Sequence, residues 1–254
     1  MGAAIDDNLA NGHVRPHCGK ICLNGCQTVE FLLIHAEHQR MVALNKPSGL
    51  PVFPRHDDSN SDCLLRRWRE GPGECDSVCW PPEFCGGIAH RLDTPTSGIV
   101  LRARGLEDLR WLRGLFAARE LTKVYQFLTL RDVTWDHNVV DRPLAHDRRH
   151  KKRMVVQRGR QTPHRGKWMP ARTEFLRLGM AGPLFRWQAI MTSGVTHQIR
   201  VHAAFVGLAL AGDKLYGGGA SPEGFPSLFA LHHGEIKGPN FAVETLCPPV
   251  WWPA

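Results

Sequence analysis

Short apolar segments bounded by polar or turn-forming residues dominate the hydrophobic pattern of this chain. Segments of roughly four to eight residues rich in β-branched and aromatic side chains are typical of β-strands. The pattern predicts strands at Glu30–Ile34, Met41–Leu44, Gly98–Leu101, Lys123–Leu130 and Phe185–Ile190. Because side chains alternate along a strand, Tyr125 should share a face with Phe127 and Thr129.

Helical spacing of apolar residues is found in three segments. A short helix is predicted at Asp62–Arg69, and a second follows from the apolar positions between Leu106 and Phe116. A third helix should begin with Thr196 as its N-cap and end at Gly207, because glycine commonly follows a helix C-terminus. The apolar face of this third helix would carry Ile199, His202, Ala203 and Val206.

The chain shows one boundary, close to its beginning. Residues 1–28 mix Gly, Asn, His and Cys without apolar periodicity, which predicts a poorly ordered N-terminal extension. Residues 29–254 contain no internal repeat, low-complexity tract or second linker, so we expect them to form a single domain. Gly, Pro and Cys without a period predict a surface loop at Glu70–Cys85.

Composition and charge narrow the class of protein only slightly. The 254 residues are 43% hydrophobic and 22% charged, as in ordinary globular domains, and the formal charge of +8 favours a polyanionic partner such as nucleic acid. No apolar run approaches the roughly 18 residues of a spanning helix, and the first residues lack the pattern of a signal peptide. We therefore expect a cytoplasmic protein with no membrane contact and no obligate protein partner.

Eight cysteines raise the question of a metal site. Without a secretory signal they are expected to be thiols rather than disulfides. The groups Cys18–Cys26 and Cys75–Cys85 space their cysteines by three or five residues, whereas common zinc knuckles use two. We predict no metal, and a structural zinc held between the two groups stays open as the alternative.

Asp93 lies in the polar segment His90–Gly98, which contains Thr, Pro, Ser and Gly and leads into an apolar strand. A side chain at such a sheet edge is held firmly. Taken alone, its carboxylate is best explained as the brace or cap of a turn, which is the commonest role of Asp in such segments. A catalytic role needs support from the rest of the chain.

Several segments spread along the chain carry recognisable motifs. His90–Gly98 reads HRLDTPTSG. A further block precedes it at Asn45–Val52, and others follow it at Lys123–Tyr125, Thr196–His202, Gly212–Gly217 and, more weakly, Phe229–His233. In sequence and order these blocks resemble the RluA family of RNA pseudouridine synthases, whose signature is HRLDxxTSG. The resemblance covers the chain from about residue 29 onward. It implies an α+β fold with a mixed, largely antiparallel sheet flanked by helices.

The same resemblance implies a cofactor-free isomerisation of a uridine in RNA. The bond between uracil N1 and C1′ of the ribose breaks, the base turns, and C5 bonds to C1′. Asp93 would be the essential carboxylate, acting either as nucleophile or as the base that removes a sugar proton, and both roles stay open. Arg200 corresponds to the basic partner that keeps this carboxylate charged. Tyr125 corresponds to the tyrosine that lies against the uracil and accepts the C5 proton, helped by desolvation or a nearby cation; packing on its strand is the alternative.

Chemistry at C1′ requires the uridine to leave its stack, at a cost of about a few kcal/mol. By resemblance, Arg91 enters the space that the base vacates, and a salt bridge that orders the loop is the alternative role. Further candidates for RNA contact are His90 and Thr96 of the block His90–Gly98 and Ile199 of the block Thr196–His202.

A second candidate RNA contact lies in the polar, basic stretch from Asp147 to Arg172, which predicts a loop or hairpin. Clustered cations bind RNA phosphates irrespective of sequence, and a solvated loop is an equally simple explanation. The residues predicted to contact phosphate are Arg148, Arg149, Lys151, Lys152 and Arg153.

Departures from the family pattern bear on substrate choice. Val195 stands where the family usually has an arginine before Thr-His-Gln, so one cation near the site is missing. The 28 residues before the domain are too few for an S4-like RNA-binding module, and members without that module modify tRNA or both tRNA and rRNA. RNA, with tRNA favoured over rRNA, is thus the expected substrate. A catalytically silent RNA-binding or RNA-folding protein on the same fold is the alternative.

Overall fold

The structure, a computed structural model, describes residues 33–34, 40–70, 80–220 and 229–245. The helices are Leu64–Glu70 (α1), Leu106–Ala118 (α2), Gln198–Phe205 (α3) and a 3₁₀ helix at Pro82–Gly87. The strands are Leu33–Ile34 (β1), Met41–Lys46 (β2), Ser97–Ala103 (β3), Thr122–Thr129 (β4), His137–Asp141 (β5), Leu144–Asp147 (β6), Met154–Val156 (β7), His164–Met169 (β8), Arg172–Ala181 (β9), Leu184–Met191 (β10), Leu231–Gly238 (β11) and Phe241–Glu244 (β12). The predicted extension at residues 1–28 lies outside the described residues and stays a prediction.

One nine-stranded sheet forms the centre of the fold. Its strands follow the order β1-β2-β3-β11-β4-β10-β9-β5, and β12 pairs with β11. Within the described sheet, β3 and β11 run parallel while their neighbours pair antiparallel. The predicted mixed, largely antiparallel sheet of an α+β fold is therefore confirmed.

Alternation along β2 divides the hydrophobic core between the two faces of the sheet. Val42 and Leu44 pack into a buried cluster with side chains of α1 and α3. Met41 and Ala43 point the other way and pack with the leucines of α2. Each fully buried large apolar side chain contributes about 1.5–3 kcal/mol, so both faces stabilise the sheet. The helices flank it as the sequence predicts.

The predicted helices and strands agree with the structure except at the start of the third helix. Of the loop predicted at Glu70–Cys85, residues 71–79 lie outside the described residues, and its end forms part of the 3₁₀ helix at Pro82–Gly87. The strands end within one or two residues of the predicted positions wherever both ends are described. Thr196 is not the N-cap, because α3 begins at Gln198 and His197 occupies the cap in a left-handed conformation (φ 57°) without a side-chain cap bond. Gln198 instead ties down the preceding loop, since its Oε1 accepts hydrogen bonds from Ser193 Oγ (2.9 Å) and Val195 N (3.2 Å).

A glycine permits the close approach of the two parallel strands beside the polar segment. Gly98 has φ 111°, and a Cβ there would lie 2.2 Å from the carbonyl oxygen of His233 on β11. Only a residue without a side chain fits both the backbone conformation and the space. The approach brings the segment before β3 next to β11 and β4.

A smaller sheet with the order β7-β6-β8 lies beside α3. Leu144, Met154 and Val156 bury their side chains in one cluster with Val201 of α3. The turn between β6 and β7, residues 148–153, is called the basic hairpin below, and it confirms the predicted hairpin in this stretch. No helix within the described ranges is long and apolar enough to cross a membrane.

Candidate active site

The loop of Asp93 is clamped by the segment that follows β2. The Nζ of Lys46 is fully buried and donates hydrogen bonds to the carbonyl oxygens of Leu50 (2.7 Å) and Thr94 (3.1 Å). The amide of Gly49 also donates to Thr94 O at 2.9 Å. Burial lowers the pKa of Lys46 to about 7, an effect that the negative charge of Asp93 partly opposes. These hydrogen bonds therefore hold the block Asn45–Val52 against the block His90–Gly98.

His90 anchors the other side of this loop. Its Nε2 accepts a hydrogen bond from the amide of Leu101 at 3.0 Å, and its ring lies 4.7 Å from that of Phe116. Burial, with the neighbouring charge of His233, holds the pKa of His90 well below its usual range, so the ring is neutral. These contacts orient the loop, and contact between His90 and RNA stays a prediction.

The carboxylate of Asp93 lies next to a buried ion pair. Its Oδ2 is 3.3 Å from Nη1 of Arg200, as the sequence predicts for these two side chains. The Nε and Nη2 atoms of the same guanidinium bind Asp213 at 2.8 and 2.9 Å. Asp213 is fully buried, and Arg200 is only 8% exposed. Arg200 is thus shared between two carboxylates, and Asp213 fixes its plane so that one nitrogen points at Asp93.

Two further side chains complete this cluster. His197 Nε2 lies 3.6 Å from Asp93 Oδ2, and its Nδ1 is 2.9 Å from the hydroxyl of Tyr216. Burial lowers the pKa of His197, while the charge of Asp93 acts in the opposite direction. The ring of Tyr216 lies 5.1 Å from the Arg200 guanidinium. Asp93 therefore faces a cation and a neutral imidazole.

Tyr125 projects from β4 and stacks on His233 of β11, with ring centroids 4.3 Å apart. It is 6% exposed. Burial, reinforced by the charge of Asp93, raises the pKa of Tyr125 above its ordinary value. Burial thus favours the neutral hydroxyl in the free protein, and the expected role of this phenol as a base stays a prediction. The flat face of the ring lines the same pocket as Asp93.

These residues surround a pocket of about 490 Å³. Such a volume falls in the range of sites for small ligands or single nucleotides. Arg91 is exposed at the pocket, and no ion pair with another described residue holds it. Its alternative role in a salt bridge thus finds no partner in the described residues. The lining includes His90, Arg91, Asp93, Thr96, Lys123, Tyr125, Val195, His197, Ile199 and Arg200.

The structure brings together the predicted residues of the motif blocks but not the basic hairpin, which does not line the pocket. The hairpin projects Arg148, Arg149, Lys151 and Lys152 into solvent, whereas Arg153 is half-buried with its guanidinium 5.4 Å from the Tyr216 ring. Val195, at the position of the missing cation, lines the pocket. The basic hairpin and the pocket are thus separate candidate contacts.

Sequence reasoning missed several side chains that shape this site, among them Tyr216. Lys46, His197, Asp213 and the pocket residue Lys123 all lie inside the matched blocks, which is the signal that could have identified them. Lys123 donates to Thr192 O at 3.0 Å, and burial lowers its pKa to about 8. Within the described residues Cys63 and Cys85 are free, and the other six cysteines lie outside them. The prediction of no metal therefore stays a prediction.

Solved structures share this architecture. Human RNA Pseudouridylate Synthase Domain Containing 1 superposes with a TM-score of 0.62 at 22% identity, covering 85% of this chain and 86% of that one. Human RNA Pseudouridylate Synthase Domain Containing 4 also has a TM-score of 0.62, at 20% identity over 84% of this chain and 87% of the other. At this identity the likeness establishes the fold.

Sequence comparison establishes the family. Residues 40–205 match the family model described as RNA pseudouridylate synthase. An uncharacterized RNA pseudouridine synthase of Chloroflexus aurantiacus is 33% identical over 68% of this chain and 51% of its own length. Ribosomal large subunit pseudouridine synthase D of Nitrosomonas europaea is 32% identical, with 73% and 50% covered. Dual-specificity RNA pseudouridine synthase RluA of Pasteurella multocida is 30% identical, with 72% and 76% covered. The chain spans about half the length of the first two relatives, and with these matches it belongs to the RluA family of RNA pseudouridine synthases.

Proposed function

We propose that this protein isomerises a uridine of an RNA substrate to pseudouridine, with Asp93 as the essential carboxylate. The observation that carries the proposal is the convergence of Asp93, Arg200 and Tyr125 on one pocket from three distant parts of the chain. A binding protein needs a surface, but it does not need a carboxylate held by a guanidinium next to an aromatic wall. Family membership supports the same reaction.

Asp93 has the access and the countercharge that the reaction requires. Its side chain is 25% exposed, so a bound nucleotide can reach it, while Arg200 lies 3.3 Å away. Whether the carboxylate attacks as a nucleophile or removes a sugar proton, it must be ionised. A guanidinium is a suitable partner because it stays charged at any physiological pH.

Tyr125 supplies the surface against which the uracil would lie. Its ring is fixed by stacking on His233 and borders the same pocket as Asp93. Aromatic rings bind flipped bases by stacking, which repays part of the few kcal/mol lost when the base leaves its neighbours. Arg91, exposed at the pocket, would occupy the vacated stack. The role of Tyr125 in accepting the C5 proton is a further prediction for the RNA-bound site.

The basic hairpin is proposed to contact the RNA backbone outside the pocket. Four of its five cations are exposed. Phosphate contacts position an RNA without reading its sequence, which suits a surface separate from the reacting base. We retain tRNA as the favoured substrate over rRNA and the cytoplasm as the expected location. The printed names of two relatives refer to ribosomal RNA and to dual specificity, so both RNA classes belong in the test.

Release of the uracil C5 hydrogen tests the proposed function, because that hydrogen leaves when C5 bonds to the sugar. Purified protein would be incubated with tRNA and rRNA tritiated at uracil C5, and tritium in water would be counted. Wild type should release tritium from one class of RNA. Asp93→Asn keeps the shape of the side chain but removes its charge, and it should release none. Asp136→Asn is the matched control, because Asp136 is 84% exposed and pairs with Arg177 at 3.2 Å.

Two outcomes would overturn the proposal. Wild type that binds these RNAs without releasing tritium would indicate the silent RNA-binding protein instead. Asp93→Asn with the same rate as Asp136→Asn would remove Asp93 from the reaction. Arg200→Met should lose turnover while RNA binding is largely retained.

A further inference from the structure

The contacts to the Asp93 carboxylate are made on one oxygen. The guanidinium of Arg200 approaches Oδ2 at 3.3 Å, and the imidazole of His197 approaches the same oxygen at 3.6 Å. No hydrogen bond from the described residues reaches Oδ1. The two oxygens are therefore inequivalent before any substrate binds, and the free one is Oδ1.

The hydroxyl of Tyr216 indicates which nitrogen of His197 carries the proton. The amide of Met154 donates a hydrogen bond to this hydroxyl at 2.9 Å, so the oxygen is already an acceptor there. Its single hydrogen remains available for His197 Nδ1, 2.9 Å away. If Nδ1 instead donated to the hydroxyl oxygen, the hydroxyl hydrogen would find no acceptor among the described residues, so an accepting Nδ1 with the ring proton on Nε2 is the arrangement that uses this hydrogen. Nε2 is the nitrogen that faces Asp93.

The surroundings hold His197 in this state. Its backbone adopts a left-handed conformation (φ 57°) at the start of α3, which aims the ring between Asp93 and Tyr216. Burial favours the neutral imidazole, and the charged or titratable groups that face the ring are Asp93, Arg200, Asp213 and His146. The hydroxyl of Tyr216 is also kept neutral, because burial raises its pKa to about 12. The stable arrangement is thus a neutral Tyr216 hydroxyl beside a neutral His197 imidazole.

We propose that His197 and Tyr216 are positioning residues that hold Oδ2 of Asp93 and thereby present Oδ1 to the nucleotide. Tyr216 fixes the tautomer of His197, and His197 together with Arg200 fixes the rotation of the carboxylate. Neither residue is required to exchange a proton with the substrate. The inference rests on the proposed function, since it concerns how the reacting carboxylate is aimed.

The place of the proton can be measured without any turnover. In protein labelled with ¹⁵N-histidine, long-range ¹H–¹⁵N spectra distinguish a protonated from an unprotonated ring nitrogen, and the signals that vanish in His197→Gln identify His197. Wild type should show a protonated Nε2 and an unprotonated Nδ1. Tyr216→Phe should shift this residue toward a mixture of tautomers. A wild-type spectrum with the proton on Nδ1 overturns the inference.

Single-turnover kinetics separate positioning from plain structural support. His197→Asn suits the left-handed backbone but does not reach Asp93, whereas His197→Gln can place an amide N–H near the position of Nε2. Tyr216→Phe removes the 2.9 Å hydrogen bond to His197, and His197→Asn removes the 3.6 Å contact with Asp93; each should slow the reaction by up to about tenfold, with RNA affinity changed by less than about twofold. His197→Gln should recover most of the rate. The control is His137→Gln, because His137 binds Glu174 through Nε2 at 3.0 Å on the edge strand β5.

The double variant gives the decisive comparison. If Tyr216 acts through the tautomer of His197, Tyr216→Phe should have no further effect on the rate in the His197→Gln background. An equal loss in both backgrounds, or a loss of RNA affinity instead of rate, refutes the positioning role. Wild type without turnover refutes the proposed function. The reversed tautomer in an active wild type refutes only the present inference.

Discussion

Removing the charge of Asp213 should destabilise the protein strongly, because this carboxylate is the buried partner of Arg200. The Asp213 side chain is fully buried, and the Arg200 side chain is 8% exposed. Asp213→Asn retains Oδ1, which accepts from the amides of Leu215 (3.1 Å) and Tyr216 (3.3 Å). It replaces Oδ2, the acceptor of Arg200 Nε at 2.8 Å, by an amide group that can only donate.

The magnitude follows from these contacts. A hydrogen bond to a charged group contributes about 1.5–3 kcal/mol, and breaking a buried ion pair costs about 3–5 kcal/mol. We expect a loss of about 3 kcal/mol, at the lower end, because Arg200 keeps the carboxylate of Asp93 at 3.3 Å. Arg200→Met should have a similar effect, because it leaves the carboxylate of Asp213 buried without its cation. The double variant contains neither charge, so its loss should resemble that of one single variant rather than their sum. We therefore expect a coupling free energy of about 3 kcal/mol.

Urea unfolding at neutral pH, followed by tryptophan fluorescence, measures all four proteins. The eight tryptophans of the chain provide the signal. Asp136→Asn, which changes an exposed aspartate, controls for the chemical change itself and should alter the unfolding free energy by less than about 0.5 kcal/mol. Single-variant losses below about 1 kcal/mol, or losses that simply add in the double variant, would refute a mutually compensating buried pair.

Three further predictions concern other parts of the fold. Gly98→Ala should lower the unfolding free energy by more than about 2 kcal/mol, since the new Cβ meets the backbone of β11 at 2.2 Å. The matched control, Gly114→Ala on the open face of α2, should raise the unfolding free energy by about 0.5–1 kcal/mol. Equal shifts of the thermal unfolding midpoint in the two variants would contradict this reasoning. Burial lowers the pKa of His202 and of His232 to about 4, so stability is fully present above the unfolded value of about 6.5 and is lost as pH falls toward 4; unfolding midpoints that stay constant over this interval would exclude it. Replacing the four exposed cations of the basic hairpin by Gln should reduce the slope of log K against log salt for RNA binding by about 3, whereas an unchanged slope would mark the hairpin as a solvated turn.

Local sequence identified the elements of the fold because alternation and apolar spacing are properties of neighbouring residues. The strand β4 and the helix α2 were recognised in this way, close to their observed ends. The start of α3 was not, because the left-handed His197 and the side chain of Gln198, bonded across the preceding loop, replace an ordinary cap. A cap made by contacts of this kind leaves no local pattern to read.

The order of the motif blocks likewise identified Asp93, Tyr125 and Arg200 as one site, although it assigned no roles to Lys46, His197 and Asp213. It did not reveal that Arg200 is shared with Asp213, or that burial keeps Tyr125 protonated in the free protein. Both facts depend on solvent exclusion, which is a property of the packed molecule. Lys46, whose ammonium holds the loop of Asp93, was hidden for the same reason.

The sequence by itself therefore determined the strand-rich α+β architecture, the family and the central residues of the pocket. The tertiary structure alone decided which atoms meet. Arg200 and Asp93 are 107 positions apart in the chain, and their contact exists only because α3 packs beside the segment that precedes β3. Inequivalent oxygens on Asp93 and a fixed proton on His197 follow from distances of a few ångströms. Such distances are set by the packing of β3, α3 and the turn at Asp213, and no spacing along the chain encodes them.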